Sequence, residues 1–164
     1  MFIRGDIISI IGVNDSHKTT LAKYLASTID KKYIYIDFIH TSYDKLDEIY
    51  ESNKNRKIVI IFDNYVEMTN NIRRMNLFTD NTNFTIIFVA NYICKKIINE
   101  SNSIYFAKSS ENYMIEAYYN SIKKYYIHKN KFINKIQKLK TCGFLCLDKD
   151  NRYIDQQEEE IIKI

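Results

Sequence analysis

This sequence predicts a three-layer α/β fold built on a mostly parallel central sheet. Three observations carry that expectation. Strand-like and helix-like stretches alternate along the chain, the pattern of a parallel sheet covered by helices on both sides. Two of the strands, at 58–62 and 84–90, are apolar without interruption, as strands buried on both faces are. Between the first strand and the first helix stands a loop with the residue pattern of a phosphate cradle.

The elements follow in order. Ile7 to Ile11 is a short buried strand. Residues 18–29 form a helix with Leu21 and Leu25 on one face. Tyr33 to Asp37 is a second strand, rich in β-branched and aromatic residues. Residues 42–53 are helical through Leu46, Ile49 and Tyr50. The strand from Lys57 to Phe62 follows, then a helical stretch at about 66–78 and the strand from Phe84 to Ala90. Ser103 to Ala107 is a shorter strand. A long helical region, one helix or two, covers 110–138. Gly143 to Asp148 is a last strand, pairing with Tyr153-Ile154 across the turn-like Asp148-Lys149-Asp150-Asn151. Glu158 to Glu160 read as a solvated tail or helix end.

The loop runs Gly12-Val13-Asn14-Asp15-Ser16-His17-Lys18-Thr19-Thr20. It follows G-x-x-x-x-G-K-[ST], except that His17 holds the place of the second glycine. Strand before and helix after are the context that gives this pattern physical meaning. Backbone N–H groups of the loop and helix N-terminus point at an anion. The cofactor-binding set is therefore Gly12, Asn14, Asp15, Ser16, His17, Lys18, Thr19 and Thr20. Lys18 reaches the β- and γ-phosphates of ATP or GTP, and Thr19 holds Mg²⁺. Glycine is used at the position of His17 because the backbone must curl tightly there. Histidine is among the side chains found at positive φ, at a cost of about 1 kcal/mol. That weakens nucleotide binding without forbidding it. The other reading is a loop that keeps its fold and has lost its nucleotide.

A second motif supports the first. Ile58 to Phe62 ends at Asp63, an acid at the carboxyl end of a buried strand, placed to hold Mg²⁺ with Thr19. The alternative is an Asp that closes a strand into a turn. Asn64 comes next, where motor ATPases carry a second carboxylate. Asparagine orients water but takes no proton. His17 and Asn64 both push against fast hydrolysis. Asn91, just past the strand ending at Ala90, reads as a phosphate sensor or as a turn residue. Arg73 and Arg74 read as arginine fingers reaching a neighbouring subunit, or as a solvated helix face.

Composition sets outer bounds. The 164 residues suit one P-loop NTPase-like domain over 1–164. Hydrophobic residues at 46% provide a core, and charged residues at 27% are ordinary for a soluble protein. A net charge of +4 permits nucleic acid as a partner without requiring it. The most basic region, Lys123 to Lys140, interleaves lysines with Tyr125, Tyr126, Ile127, Phe132, Ile133, Ile136 and Leu139. It reads as an amphipathic helix with a solvated basic face, or as a phosphate-tracking surface. Three cysteines at loose spacing make neither a disulfide framework nor a zinc site. Phe2 and Ile3 run into Arg4, Gly5 and Asp6 with no A-x-A-like site, so no secretory leader is expected. No apolar run reaches about 18 residues, so no membrane span is expected.

The order of these motifs resembles a known family. Gly12–Thr19, then IVIIFDN at 58–64, RRMNLFTDNTNFTIIFVANYICKKI at 73–97, SNSIYFAK at 101–108 and GFLCLDKDN at 143–151 together resemble the genome-packaging ATPases of poxviruses and other large DNA viruses, in the FtsK–HerA branch of P-loop ATPases. Lys18, Thr19 and Asp63 match that family. His17 stands for its glycine, Asn64 for its second acid, Asn91 for its glutamine sensor. Thr79-Asp80-Asn81 stands near its Gly-Arg-His element. The resemblance implies a P-loop NTPase fold, a ring of identical subunits and translocation of double-stranded DNA into a capsid. It implies a place in the cytoplasm of an infected host cell or in the virion. Two other readings stay open. One is a catalytically degenerate pseudo-ATPase acting as an assembly module. The other is a small nucleoside or nucleotide kinase, which the KTTLAKYLA helix and YIYID strand also resemble. The absence of arginine from 94–140 counts against a kinase lid.

Overall fold

The structure, a computed structural model, describes residues 5–66, 72–125 and 128–148. Among the described residues, six strands and six α-helices follow one another as β1 (Ile7–Ile11), α1 (Lys18–Ile29), β2 (Tyr33–Asp37), α2 (Tyr43–Asn53), β3 (Ile58–Asp63), α3 (Ile72–Thr79), β4 (Phe84–Ala90), α4 (Lys95–Glu100), β5 (Ser103–Ala107), α5 (Asn112–Ile122), α6 (Lys129–Lys138) and β6 (Phe144–Asp148). A 3₁₀ turn, Phe38–His40, links β2 to α2. The strands form one sheet in the order β2-β3-β4-β1-β5-β6. All pairings are parallel except β5 with β6. The mostly parallel three-layer α/β fold expected from the sequence is thus the fold observed.

The apolar runs explain the layers. Every residue of β1 and β4 is buried. Successive side chains of a strand point to opposite faces, and each face is covered. On one side α1 lays Leu21, Ala22, Leu25 and Ala26 against Ile8, Ile10, Ile61, Ile87 and Val89. Burying a leucine of this kind stabilises the fold by about 1.5–3 kcal/mol. On the other side α2, α3 and α4 cover an aromatic cluster in which Phe62 meets Phe78 edge-on and stacks on Phe88. At the β5–β6 end, α5 and α6 bury Ile115, Tyr118, Ile122, Phe132 and Ile136 against Phe106 and Leu145. Ser42 caps α2 by accepting the Lys45 N–H.

The structure adds what local pattern did not show. The region at 110–138 is two helices. A further helix, α4, lies between β4 and β5; it spans six residues and buries Ile97 and Ile98, too little to register as a period. Strand β3 extends one residue further than expected and includes Asp63. In the described residues α3 begins at Ile72; the first part of the helical stretch expected from 66 falls largely outside them. So do the expected Tyr153-Ile154 pairing and the acidic segment at 158–160. No helix among the described residues is long and apolar enough to cross a membrane.

Candidate nucleotide site

Parallel pairing brings the carboxyl ends of β1 to β5 to one edge, where ligands sit in open α/β sheets. Ile11 lies beside Ala90 and Phe106, and Asp37 lies beside Asp63. Gly12 leaves β1 at this edge and its N–H donates to the Ala90 carbonyl at 3.2 Å. A glycine is required there by crowding. A Cβ on Gly12 would lie 2.5 Å from the Ala107 Cβ and 2.7 Å from Ser16 Oγ. The loop then curls through two left-handed residues, Asp15 and His17, each at φ 59°. His17 is the N-cap of α1, and its carbonyl accepts the Leu21 N–H at 3.0 Å. Its side chain caps nothing, so the first N–H groups of α1 have no side-chain acceptor from that residue. Such groups, with the amides of a curled loop, are the donors that take up anions in loops of this kind.

Lys18 opens α1 and is buried. Its ammonium donates to the Val13 carbonyl and, at 3.2 Å, to Ser16 Oγ. Ser16 Oγ donates in turn to the Val13 carbonyl at 2.7 Å. Burial pushes the Lys18 ammonium below its ordinary pKa, against the opposing pull of Asp63 and Asp15. A desolvated cation is suited to a polyanion.

Asp63, also buried, is the hub of the site. Thr19 Oγ1 donates to its Oδ2 at 2.7 Å, the Tyr35 hydroxyl donates to the same oxygen at 2.6 Å, and the Asn64 N–H donates to Oδ1 at 2.9 Å. Burial, then the hydrogen bond to Asp63, then the charges of Asp63 and Asp37 push the Tyr35 phenol above its ordinary pKa. Lys23 stands 4.7 Å from the centre of the Tyr35 ring. The Thr19 hydroxyl and Asp63 carboxylate are hard oxygen donors of the kind Mg²⁺ takes. Mg²⁺ binds through one or two carboxylates plus substrate phosphates. It therefore does not need the three-residue acidic or histidine cluster that the described residues lack. The donors present fit the ion.

The remaining candidates are spread along the same edge. Asn64 is left-handed at φ 54°, and its Nδ2 donates to Asp37 Oδ1 at 3.2 Å. Asn91 is exposed at the end of β4, the strand between β1 and β3, and so lies along the edge between the loop and Asp63. Asn14, Asp15 and Thr20 are exposed on the loop and the first turn of α1. The two arginines differ. Arg74 grips Asp47 of α2 with Nε at 2.9 Å and Nη2 at 3.1 Å, and lies 4.9 Å from the Tyr43 ring centre. Arg73 is exposed at the start of α3. Tyr35 and Asp37 were not expected at the site. Alternation in Tyr33-Ile34-Tyr35-Ile36-Asp37 marks them as sharing a face, but only pairing with β3 places that face beside Asp63.

These elements define the class: the chain has the fold of a P-loop NTPase. Solved structures share that fold over nearly the whole length of the chain. The genome-packaging NTPase B204 of Sulfolobus turreted icosahedral virus 2, in complex with AMP, superposes with a TM-score of 0.69 at 15% identity, covering 99% of this chain and 98% of that one. The same protein with AMPPCP gives 0.66 at 17% identity over 98% of each chain. The DNA-packaging ATPase B204 of Sulfolobus turreted icosahedral virus gives 0.66 at 16% identity, covering 99% of this chain and 98% of that one. The likeness is one of fold. No protein-family model matches the sequence, and no curated protein matches it.

Proposed function

We propose that this chain binds ATP or GTP with Mg²⁺ on the loop Gly12–Thr20 and serves in packaging double-stranded DNA into a viral capsid. The observation that carries the binding is the contact of Thr19 Oγ1 with Asp63 Oδ2. It unites the two oxygen donors that hold Mg²⁺ in P-loop NTPases, beside a buried lysine and a curled amide loop. Thr19 and Asp63 hold the ion, and Lys18 and the loop amides hold the phosphates. The bound ion neutralises charge on the β- and γ-phosphates.

The packaging role is supported by the fold shared with B204 and by the basic face of the last helical region. Lys123, Lys129, Lys131, Lys138 and Lys140 are exposed, and Lys129 pairs with Glu116 at 2.8 Å. Because β6 runs antiparallel to β5, with Phe144 beside Ala107, the turn from α6 into β6 returns to the edge that bears the loop. Lys108 there donates its N–H to the Gly143 carbonyl at 3.0 Å. DNA on α6 would thus sit close to the nucleotide edge. A ring of identical subunits, in the infected-cell cytoplasm or in the virion, belongs to the same reading. The kinase alternative is disfavoured by packing: α5 and α6 belong to the core against β5 and β6 and do not form a separate lid.

The test is the melting temperature with and without Mg²⁺ and a panel of nucleotides. Ligand at 100-fold over Kd adds about 2.7 kcal/mol to the folded state. A shift with Mg²⁺ and ATP or GTP, lost in Lys18→Ala, is the expected result. No shift with any triphosphate overturns the reading.

A further inference from the structure

Asn64 occupies the position from which a carboxylate would take a proton, and an amide takes none. Its side chain is nonetheless held in one orientation. Nδ2 donates to Asp37 Oδ1 at 3.2 Å. A carboxylate only accepts, so the amide must present its NH₂ to Asp37 and leave its own Oδ1 as an acceptor. The Asn64 backbone is left-handed, at φ 54°, and its side chain reaches across the edge from β3 to β2. There Asp37 pairs in register with Asp63, the metal-side acid. Asp63 already accepts three donors, Thr19 and Tyr35 on Oδ2 and the Asn64 N–H on Oδ1. Asp37 is less engaged: its Oδ1 accepts from Asn64, its side chain is 37% exposed, and its Oδ2 has His40 Nε2 at 4.0 Å, beyond hydrogen-bond range.

Resting on the nucleotide-binding reading above, we propose that Asp37 is the proton acceptor for hydrolysis of the bound nucleoside triphosphate, working through a pair in which Asn64 orients water and Asp37 deprotonates it. The water oxygen bonds to the γ-phosphorus as the bond from that phosphorus to the β,γ-bridging oxygen breaks. The electron pair of the broken bond leaves with the nucleoside diphosphate. The water proton passes to Asp37 Oδ2 and from that exposed oxygen to solvent. Acid and amide are thus divided between adjacent strands, and the chain needs no acid at position 64.

The test compares the unaltered protein with Asp37→Asn in three measurements. These are affinity for Mg²⁺ with AMPPCP, affinity for Mg²⁺ with ADP and aluminium fluoride, and ATP turnover in self-associated samples. AMPPCP affinity should stay within about threefold, since Asp37 does not hold the ground-state phosphates. Turnover should fall by about 10²–10⁴-fold, the usual contribution of a general base. Affinity for the aluminium fluoride complex, which mimics the attacked phosphate, should fall relative to AMPPCP. Turnover within a few fold of the unaltered protein overturns the proposal. So does an unaltered protein that binds AMPPCP yet does not turn over ATP. Loss of AMPPCP affinity in Asp37→Asn makes Asp37 a structural residue and also overturns it. Failure of the unaltered protein to bind any nucleotide is a separate result: it defeats the binding reading, and the Asp37 proposal with it.

Discussion

Thr19 Oγ1 lies 2.7 Å from Asp63 Oδ2, joining the first turn of α1 to the carboxyl end of β3. The two strands that deliver them are not neighbours, because β4 lies between β1 and β3. The contact is therefore made by α1 reaching across one face of the sheet. That face is where α1 packs on Ile61 and Val89, so the core that fixes α1 also fixes the site.

Asp63→Asn keeps the side chain's size and tests its charge. Thr19 and Tyr35 donate to one oxygen and the Asn64 N–H donates to the other. An amide in either orientation sets its NH₂ against a donor. Stability should fall by about 1–3 kcal/mol, the cost of an unsatisfied buried group. The Mg²⁺-dependent part of the nucleotide thermal shift should vanish. Urea denaturation and melting curves with and without Mg²⁺ measure both.

Lys18→Met should separate binding from stability. Burial lowers the Lys18 pKa in the folded chain below its ordinary value of 10.5. The unfolded chain then holds the proton more tightly, so stability rises with pH between the folded and unfolded values and is lost as pH falls through the folded one. Methionine fills similar space without the charge. The variant should lose nucleotide binding while its stability near pH 7 holds or increases, and its stability should vary less with pH just below 10.5 than that of the unaltered chain.

His17 tests backbone strain. Its φ of 59° is already present in the folded chain, so the strain is borne on folding and stability responds before affinity does. A left-handed non-glycine residue costs about 1–2 kcal/mol, and glycine returns about 0.5–1 kcal/mol of that as unfolded-state entropy. His17→Gly should therefore stabilise by up to about 1 kcal/mol. His17→Val, β-branched at positive φ, should destabilise by about 1–2 kcal/mol. Equal midpoints for the three chains in urea would refute the argument.

The arginines should part company. Arg74→Ala removes a forked, half-exposed pair with Asp47 and should change stability little, as exposed ion pairs do, with turnover per folded subunit unchanged. Arg73→Ala should leave stability alone and lower turnover in assembled samples if it reaches a neighbour's phosphates. Turnover assayed across a range of protein concentrations distinguishes the two.

Binding of double-stranded DNA should fall steeply with salt. Each phosphate contact contributes a slope of about −0.9 in log K against log salt. Changing Lys131, Lys138 and Lys140 together to Gln should flatten that slope by about two to three. Affinity that ignores salt would show that α6 is not the contact surface.

The strands, the long helices and the loop were legible in the sequence, and so was the grouping of Lys18, Thr19 and Asp63 at one edge. Each of these rests on local order: an apolar run, a 3.6-residue period, or a motif a few residues long. The sequence also showed that His17 sits where the backbone turns left-handed. Tertiary structure decided the rest. Sheet order placed Asn91 between the loop and Asp63, and register placed Tyr35 and Asp37 beside them. Contact between α2 and α3 captured Arg74 and left Arg73 exposed. The reason is physical. A residue's local pattern reports which face it buries, whereas hydrogen bonds between strands pair residues far apart in sequence and leave no local trace. Asn64 shows the difference most plainly: as a letter it is a missing acid, and in the fold its amide is bonded to one.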